Sequence, residues 1–103
     1  MHISEFQEMM KKLYLQRDLE RGVSGTFNWL VDEVHELGEE LIKSPINREA
    51  TEKEFADVIA WLSSLANIMG IDLEKATISK YNYECPKCGK LPCECPFQVT
   101  KRV

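Results

Sequence analysis

With 103 residues, 44% hydrophobic and 29% charged, the sequence has room for one domain of ordinary soluble composition. A net charge of −4 and the absence of a basic run argue against nucleic-acid binding as the main role. No apolar stretch reaches the about 18 residues of a membrane span, and Met1-His2-Ile3-Ser4-Glu5-Phe6 has neither the basic opening nor the apolar core of a signal peptide, so a cytoplasmic protein without membrane association is expected.

Residues 2–20 are expected to form a first helix. Ile3, Phe6, Met10, Leu13 and Gln16 or Arg17 recur at helical spacing, with Glu5, Lys11, Lys12 and Asp18 outside. The two glycines of Arg21-Gly22-Val23-Ser24-Gly25 predict a loop, followed by Thr26 as an N-cap. A second helix, from Phe27 to Lys43, carries the stripe Leu30, Val34, Leu37 and Leu41. It stops at Ser44-Pro45, because the residue before a proline avoids helical geometry. Val31 and Ile42 add a second apolar strip, the mark of a helix buried on two sides.

A third helix begins near Asn47 or Thr51, follows the stripe Phe55, Val58, Leu62, Ala66 and Met69, and ends with Gly70 as its C′ residue. Its back (Ala56, Ala60, Ser63, Ser64 and Asn67) is small enough for another helix to approach closely. Asp72 caps a short fourth helix from Leu73 to about Tyr81. The expected fold is all-α: a helical bundle built on an antiparallel helix hairpin over residues 1–83, with a separate small cysteine-rich tail over 84–103.

The carboxylates give this hairpin its chemistry. Residues three apart share a helix face, so Glu33 and Glu36 form one pair and Glu54 and Asp57 another. A hairpin centred on Pro45 sets Glu33 level with Asp57 and Glu36 level with Glu54. Two like charges about 4 Å apart repel by roughly 4 kcal/mol at an effective dielectric of 20, so four of them call for protons or a cation. Hard oxygen donors without Cys or His suit Mg²⁺ or Mn²⁺. The plain alternatives are a solvated acidic face and, for Glu54, a capping box with Thr51. Trp29 and Trp61 border the two carboxylate pairs at the edge of the apolar stripes. A solvated face has no use for tryptophan, whereas a metal-bound anion carrying a flat ring does; a core or interface aromatic is the plain alternative for each.

Asp32-Glu33-Val34-His35-Glu36, followed after 17 residues by Glu54-Phe55-Ala56-Asp57, resembles the E-E-x-x-E … E-x-x-D signature of the MazG-like nucleoside triphosphate pyrophosphohydrolases, members of the all-α NTP pyrophosphatase superfamily. The resemblance runs from about Gly22 to Asn82. It includes Thr26-Phe27-Asn28-Trp29-Leu30, Asp57-Val58-Ile59-Ala60-Trp61-Leu62 and Gly70-Ile71-Asp72-Leu73. Asp32 replaces the usual first Glu and lies away from the other carboxylates on the helical wheel, and His35 replaces a frequent Gly. The resemblance implies a Mg²⁺-dependent (or Mn²⁺-dependent) enzyme that cleaves a (d)NTP to (d)NMP and pyrophosphate, in a house-cleaning role on the nucleotide pool. Glu33, Glu36, Glu54 and Asp57 would hold the metal, with Glu36 a candidate to orient or deprotonate the attacking water. Trp29 or Trp61 would stack on the base. Lys80, Arg17 or Arg21 would reach the phosphates. Lys80 and Asn82 lie in Ser79-Lys80-Tyr81-Asn82, which is similar to the segment that closes the family's site.

In the tail, Cys85-Pro86-Lys87-Cys88-Gly89 looks like a zinc knuckle, with Cys93 and Cys95 to complete a Cys₄ set for structural Zn²⁺. Free or redox-active thiols are the alternative. The apolar faces exceed what one chain of this length covers, so a homo-oligomer, dimer or tetramer, is expected. A rival from another class is a non-catalytic helical oligomer whose zinc-knuckle tail makes the contacts.

Overall fold

The computed structural model describes residues 1–97, which form three helices and no strand: α1 (Ile3–Leu41), α2 (Arg48–Met69) and α3 (Leu73–Lys80). Among the described residues, no single helix is long and apolar enough to cross a membrane.

The two N-terminal helices expected from the sequence are one interrupted element. Only Gly22 leaves helical geometry, at φ 79° and ψ 176°, so the expected loop shrinks to a single residue. That φ is strained for any side chain with a Cβ, which explains glycine there. Gly25 is helical and has a different purpose. A Cβ on it would stand 2.8 Å from Cγ of Arg21, so its bareness lets the arginine lie back along the helix. Thr26 is therefore no N-cap; it sits inside α1 and is 0% exposed.

α2 starts at the earlier of the two expected positions. The Asn47 side chain accepts from the Ala50 N–H at 3.0 Å, and the Thr51 hydroxyl donates to the Asn47 carbonyl at 2.8 Å. Thr51 is thus not the cap, and Glu54 is released from any capping role. Gly70 ends the helix at φ 68°, and Asp72 caps α3 by accepting from Lys75 N–H at 3.0 Å.

Trp29 lies against Trp61 and Glu36 beside Glu54, so the arm of α1 after Gly22 runs antiparallel to α2. The arm before Gly22 crosses α2 obliquely. From Gln7, at Asn67, to Arg21, over Trp61, it advances roughly 21 Å, while α2 retreats only roughly 9 Å. Gln7 clamps the crossing. Its amide donates to Asn67 Oδ1 at 3.0 Å and to the Ile71 carbonyl at 2.7 Å, its oxygen accepts from Leu73 N–H, and Asn67 donates back to the Gln7 carbonyl at 3.1 Å.

The buried set differs from the expected stripes. Met10 and Ala66 of the expected stripes are buried, but with them are Gln7, Ser63 and Ser64, whereas Leu13, Val34, Leu41, Phe55, Leu62 and Met69 are exposed. Asp18, expected outside, is 1% exposed. The physical reason is backbone approach: the small side of α2 lets α1 come close, so within one chain the helices meet through it. The bulky side of α2 is left facing outward.

Candidate active site: a carboxylate cluster beside a tryptophan stack

Glu33 and Glu36 sit one turn apart on the second arm of α1, and Glu54 faces them from the first turns of α2. Each offers one carboxylate oxygen, and all three oxygens lie within 4.8 Å of one another. Glu33 is only 9% exposed, and one oxygen each of Glu33 and Glu54 is buried without a hydrogen-bond partner. Burial, and then the negative charges of Glu36, Asp57 and Glu54, push the Glu33 carboxyl up to about 7. Burial, followed by Glu36 and Asp57, raises Glu54 as well. The helix pair thus holds like charges together at a cost that a cation would relieve.

Asp57 stands at the rim. Its charge is felt by Glu33 and Glu54, but its carboxylate is exposed and outside the compact set. It lines an adjoining cleft of about 300 Å³ with Tyr14, Arg17, Asp18, Arg21 and Trp61. Trp61, which lines that cleft, stacks on Trp29, centroids 5.3 Å apart and planes 7° from parallel. The Arg21 guanidinium lies 4.7 Å from the Trp61 ring centroid, tied at 2.8 Å to buried Asp18, whose second oxygen has no partner.

Two participants escaped the sequence reading. Glu40 sends its charge to Glu54 while binding Lys43 at 2.6 Å, with its other oxygen buried and unpartnered. The sequence signal was present, since Glu40 continues the Glu33–Glu36 flank by one more turn. Asp18 gave a weaker signal, the D-x-x-R spacing to Arg21, which is common on helices.

Lys80 and Asn82 are not brought to the carboxylates within the chain. α3 packs on the start of α1, where Ser4 N–H donates to Glu74, and Lys80 reaches only the Tyr81 ring at 5.6 Å. Glu54 lies near the opposite end of α2, roughly 22 Å from Met69.

A second cluster stands apart from the helices. The sulfurs of Cys85, Cys88, Cys93 and Cys95 also lie within 4.8 Å of one another, in residues without helix or strand. Backbone N–H groups of Cys88 and Lys87 lower the Cys85 thiol to about 6, while hydrogen bonds with Cys93, Cys85 and Cys88 push Cys95 up to about 12.

No curated protein matches the chain. A family profile described as the MazG nucleotide pyrophosphohydrolase domain matches residues 21–89, which takes in both acidic motifs, both tryptophans and α3. That match covers more than half of the sequence and coincides with the carboxylate geometry, so the chain belongs to the MazG nucleotide pyrophosphohydrolase family.

Proposed function

We propose that the protein hydrolyses a (d)NTP to (d)NMP and pyrophosphate, clearing unwanted nucleotides from the cytoplasmic pool, with Mg²⁺ or Mn²⁺ held by Glu33, Glu36, Glu54 and Asp57. The observation that carries this reading is the trio of carboxylates whose oxygens lie within 4.8 Å, two of the residues having a buried oxygen without a partner. All-oxygen donors of this kind fit a hard divalent cation. Such a cation, when bound, neutralises phosphate oxygens and acidifies water.

The chain's own residues supply the rest. In the reaction, water attacks the α-phosphorus, the bond to the bridging oxygen breaks, and pyrophosphate leaves. Glu36, more exposed than Glu33, orients the water and takes its proton. Arg21, pre-oriented by Asp18, and Arg17 share the cleft with Asp57 and neutralise the phosphates of the substrate. Trp61 is covered by Trp29 and Arg21, so the base stacks on the half-exposed Trp29, which Trp61 holds flat. Lys80 and Asn82 enter this reading only through the family resemblance. Lys80 at the end of α3 and Asn82 just beyond it could act at the phosphates only in a site completed across an assembly.

The exposed surface also supports an assembly. A folded monomer of 11.9 kDa has about 6,000 Å² of accessible surface, whereas this chain exposes 8437 Å². Residues 81–97, which lack regular structure, account for part of the excess. The bulky side of α2 and the neighbouring side of α1 are also open to solvent: Phe27, Val34, Phe55, Ile59 and Leu62 are all exposed, and Val23, Phe27, Leu65 and Met69 line an apolar groove of about 300 Å³. We infer that a second copy covers these faces. Sedimentation equilibrium tests this: Leu62→Asp should dissociate the assembly. A Ser64→Arg change should instead disturb the packing of α1 on α2 within one chain.

The reaction is tested by incubation with Mg²⁺ and a panel of NTPs and dNTPs, with products identified by phosphorus NMR. Monophosphate and pyrophosphate are expected. Diphosphate and orthophosphate would show that the wrong bond has been assigned, and inactivity across the panel would favour a non-catalytic helical oligomer.

A further inference from the structure

The cysteine cluster is not used by the hydrolytic reading, and its geometry points to a ligand of the opposite chemistry. We propose that Cys85, Cys88, Cys93 and Cys95 hold one structural Zn²⁺ that folds residues 85–95 into a knuckle of its own.

The sulfur spacing is the main argument. A tetrahedral site with Zn–S bonds of about 2.3 Å has S···S edges of about 3.8 Å. Here Cys85 and Cys95 are 3.7 Å apart and Cys88 and Cys93 are 3.9 Å apart, with all four sulfurs within 4.8 Å. A disulfide would need about 2.05 Å. The pairs are thus spaced as neighbours on a tetrahedron.

The backbone is arranged to serve thiolates. Lys87 N–H donates to the Cys85 sulfur at 3.4 Å, Glu94 N–H to Cys88 at 3.3 Å, and Cys95 N–H to Cys93 at 3.3 Å. Such donors spread the charge that four thiolates bring to one ion. Gly89, at φ 71°, turns the chain back, its N–H donating to the Cys85 carbonyl at 2.7 Å. Cys85 N–H then donates to the Lys90 carbonyl at 3.0 Å and closes the loop.

Beyond these few hydrogen bonds, no packed core among the described residues holds the segment in this shape. Every residue from 81 to 97 is exposed or half-buried, so no apolar core offsets the entropy of ordering it. Metal binding supplies that free energy in small irregular units. Four protein ligands leave no open position, which makes the site structural and not catalytic. Soft thiolates select zinc over the hard cations suited to the carboxylates, so the two sites do not compete for one metal.

The test uses the full chain, purified without added metal. Elemental analysis should find about one zinc per chain, lost in Cys88→Ser and in Cys93→Ser but retained in Glu33→Gln. Retention in Glu33→Gln makes the result independent of the hydrolase reading. Exchange with Co²⁺ should produce the intense visible bands of tetrahedral thiolate coordination. Chelation should expose residues 81–97 to protease while helical circular dichroism persists, which separates loss of the metal from loss of the fold. The proposal is overturned by metal-free protein with four freely reacting thiols, by a mass lowered by the hydrogens lost in two disulfides, or by iron as the bound metal.

Discussion

The carboxylate and thiol clusters each gather side chains of one charge into a space of a few ångströms, by opposite means. Glu33, Glu36 and Glu54 ride on helices whose backbones are satisfied internally and whose crossing is fixed by Gln7 and by the small face of α2. Their convergence costs free energy, visible in the raised carboxyls of Glu33 and Glu54, and the helix pair bears it. The cysteines sit in a stretch with neither helix nor core, where a few backbone hydrogen bonds and, on the proposal above, a shared metal hold them together. On the two proposals above, the carboxylate site on regular elements would exist before its metal arrives, and the thiol site in irregular chain would exist because of it.

The largest expected effect tests the first half of that contrast. Glu36→Gln and Asp57→Asn keep shape and remove charge, so turnover should fall by at least about a hundredfold, while helical circular dichroism and zinc content stay unchanged. Near-normal turnover in both variants would place the chemistry elsewhere. Chelation tests the second half. After removal of all metal, the helices should melt as one transition while the tail is already open to protease, whereas joint collapse of both regions would abolish the distinction.

Gln7 lies far along α2 from Glu54, yet it fixes the helix crossing. Replacing it by alanine removes several buried hydrogen bonds and should cost about 2–3 kcal/mol of stability. Zinc content should not change, since the thiols do not depend on that crossing.

The smallest effect is a pH dependence. Glu33 titrates near 4.5 when unfolded and near 7 in the folded, metal-free chain. A raised carboxyl contributes stability that is complete below pH 4.5 and lost as pH rises through 7. In metal-free protein, Glu33→Gln should therefore match the parent melting temperature at pH 4.5 and exceed it by about 5 °C at pH 8. Added Mg²⁺ should raise the parent at pH 8 and close that gap. A constant difference across pH would mean that Glu33 is not under this repulsion.

Local signals alone determined the helical class, the C-terminal end of α2, the start of α3, and the i, i+3 pairs of the acidic motifs, while leaving the start of α2 open between Asn47 and Thr51. Asn47, Gly70 and Asp72 act on backbone groups within a few residues, and the i, i+3 spacing of Glu33 and Glu36 follows from the helix itself. The four cysteines could likewise be read together, because their ligand chemistry needs only short chain. Tertiary structure alone decided which sides of the helices meet. Hydrophobic periodicity marks the sides that leave water, but not whether they find cover in the same chain. Here the small side of α2 took α1, which put Asp18 inside and left Phe55 and Leu62 outside. It also decided that Gly22 is a kink and not a loop, that Trp29 and Trp61 stack on each other, and that Lys80 lies away from the carboxylates. The stack and the place of Lys80 depend on how the helices cross, which is set by pairs of residues distant in sequence.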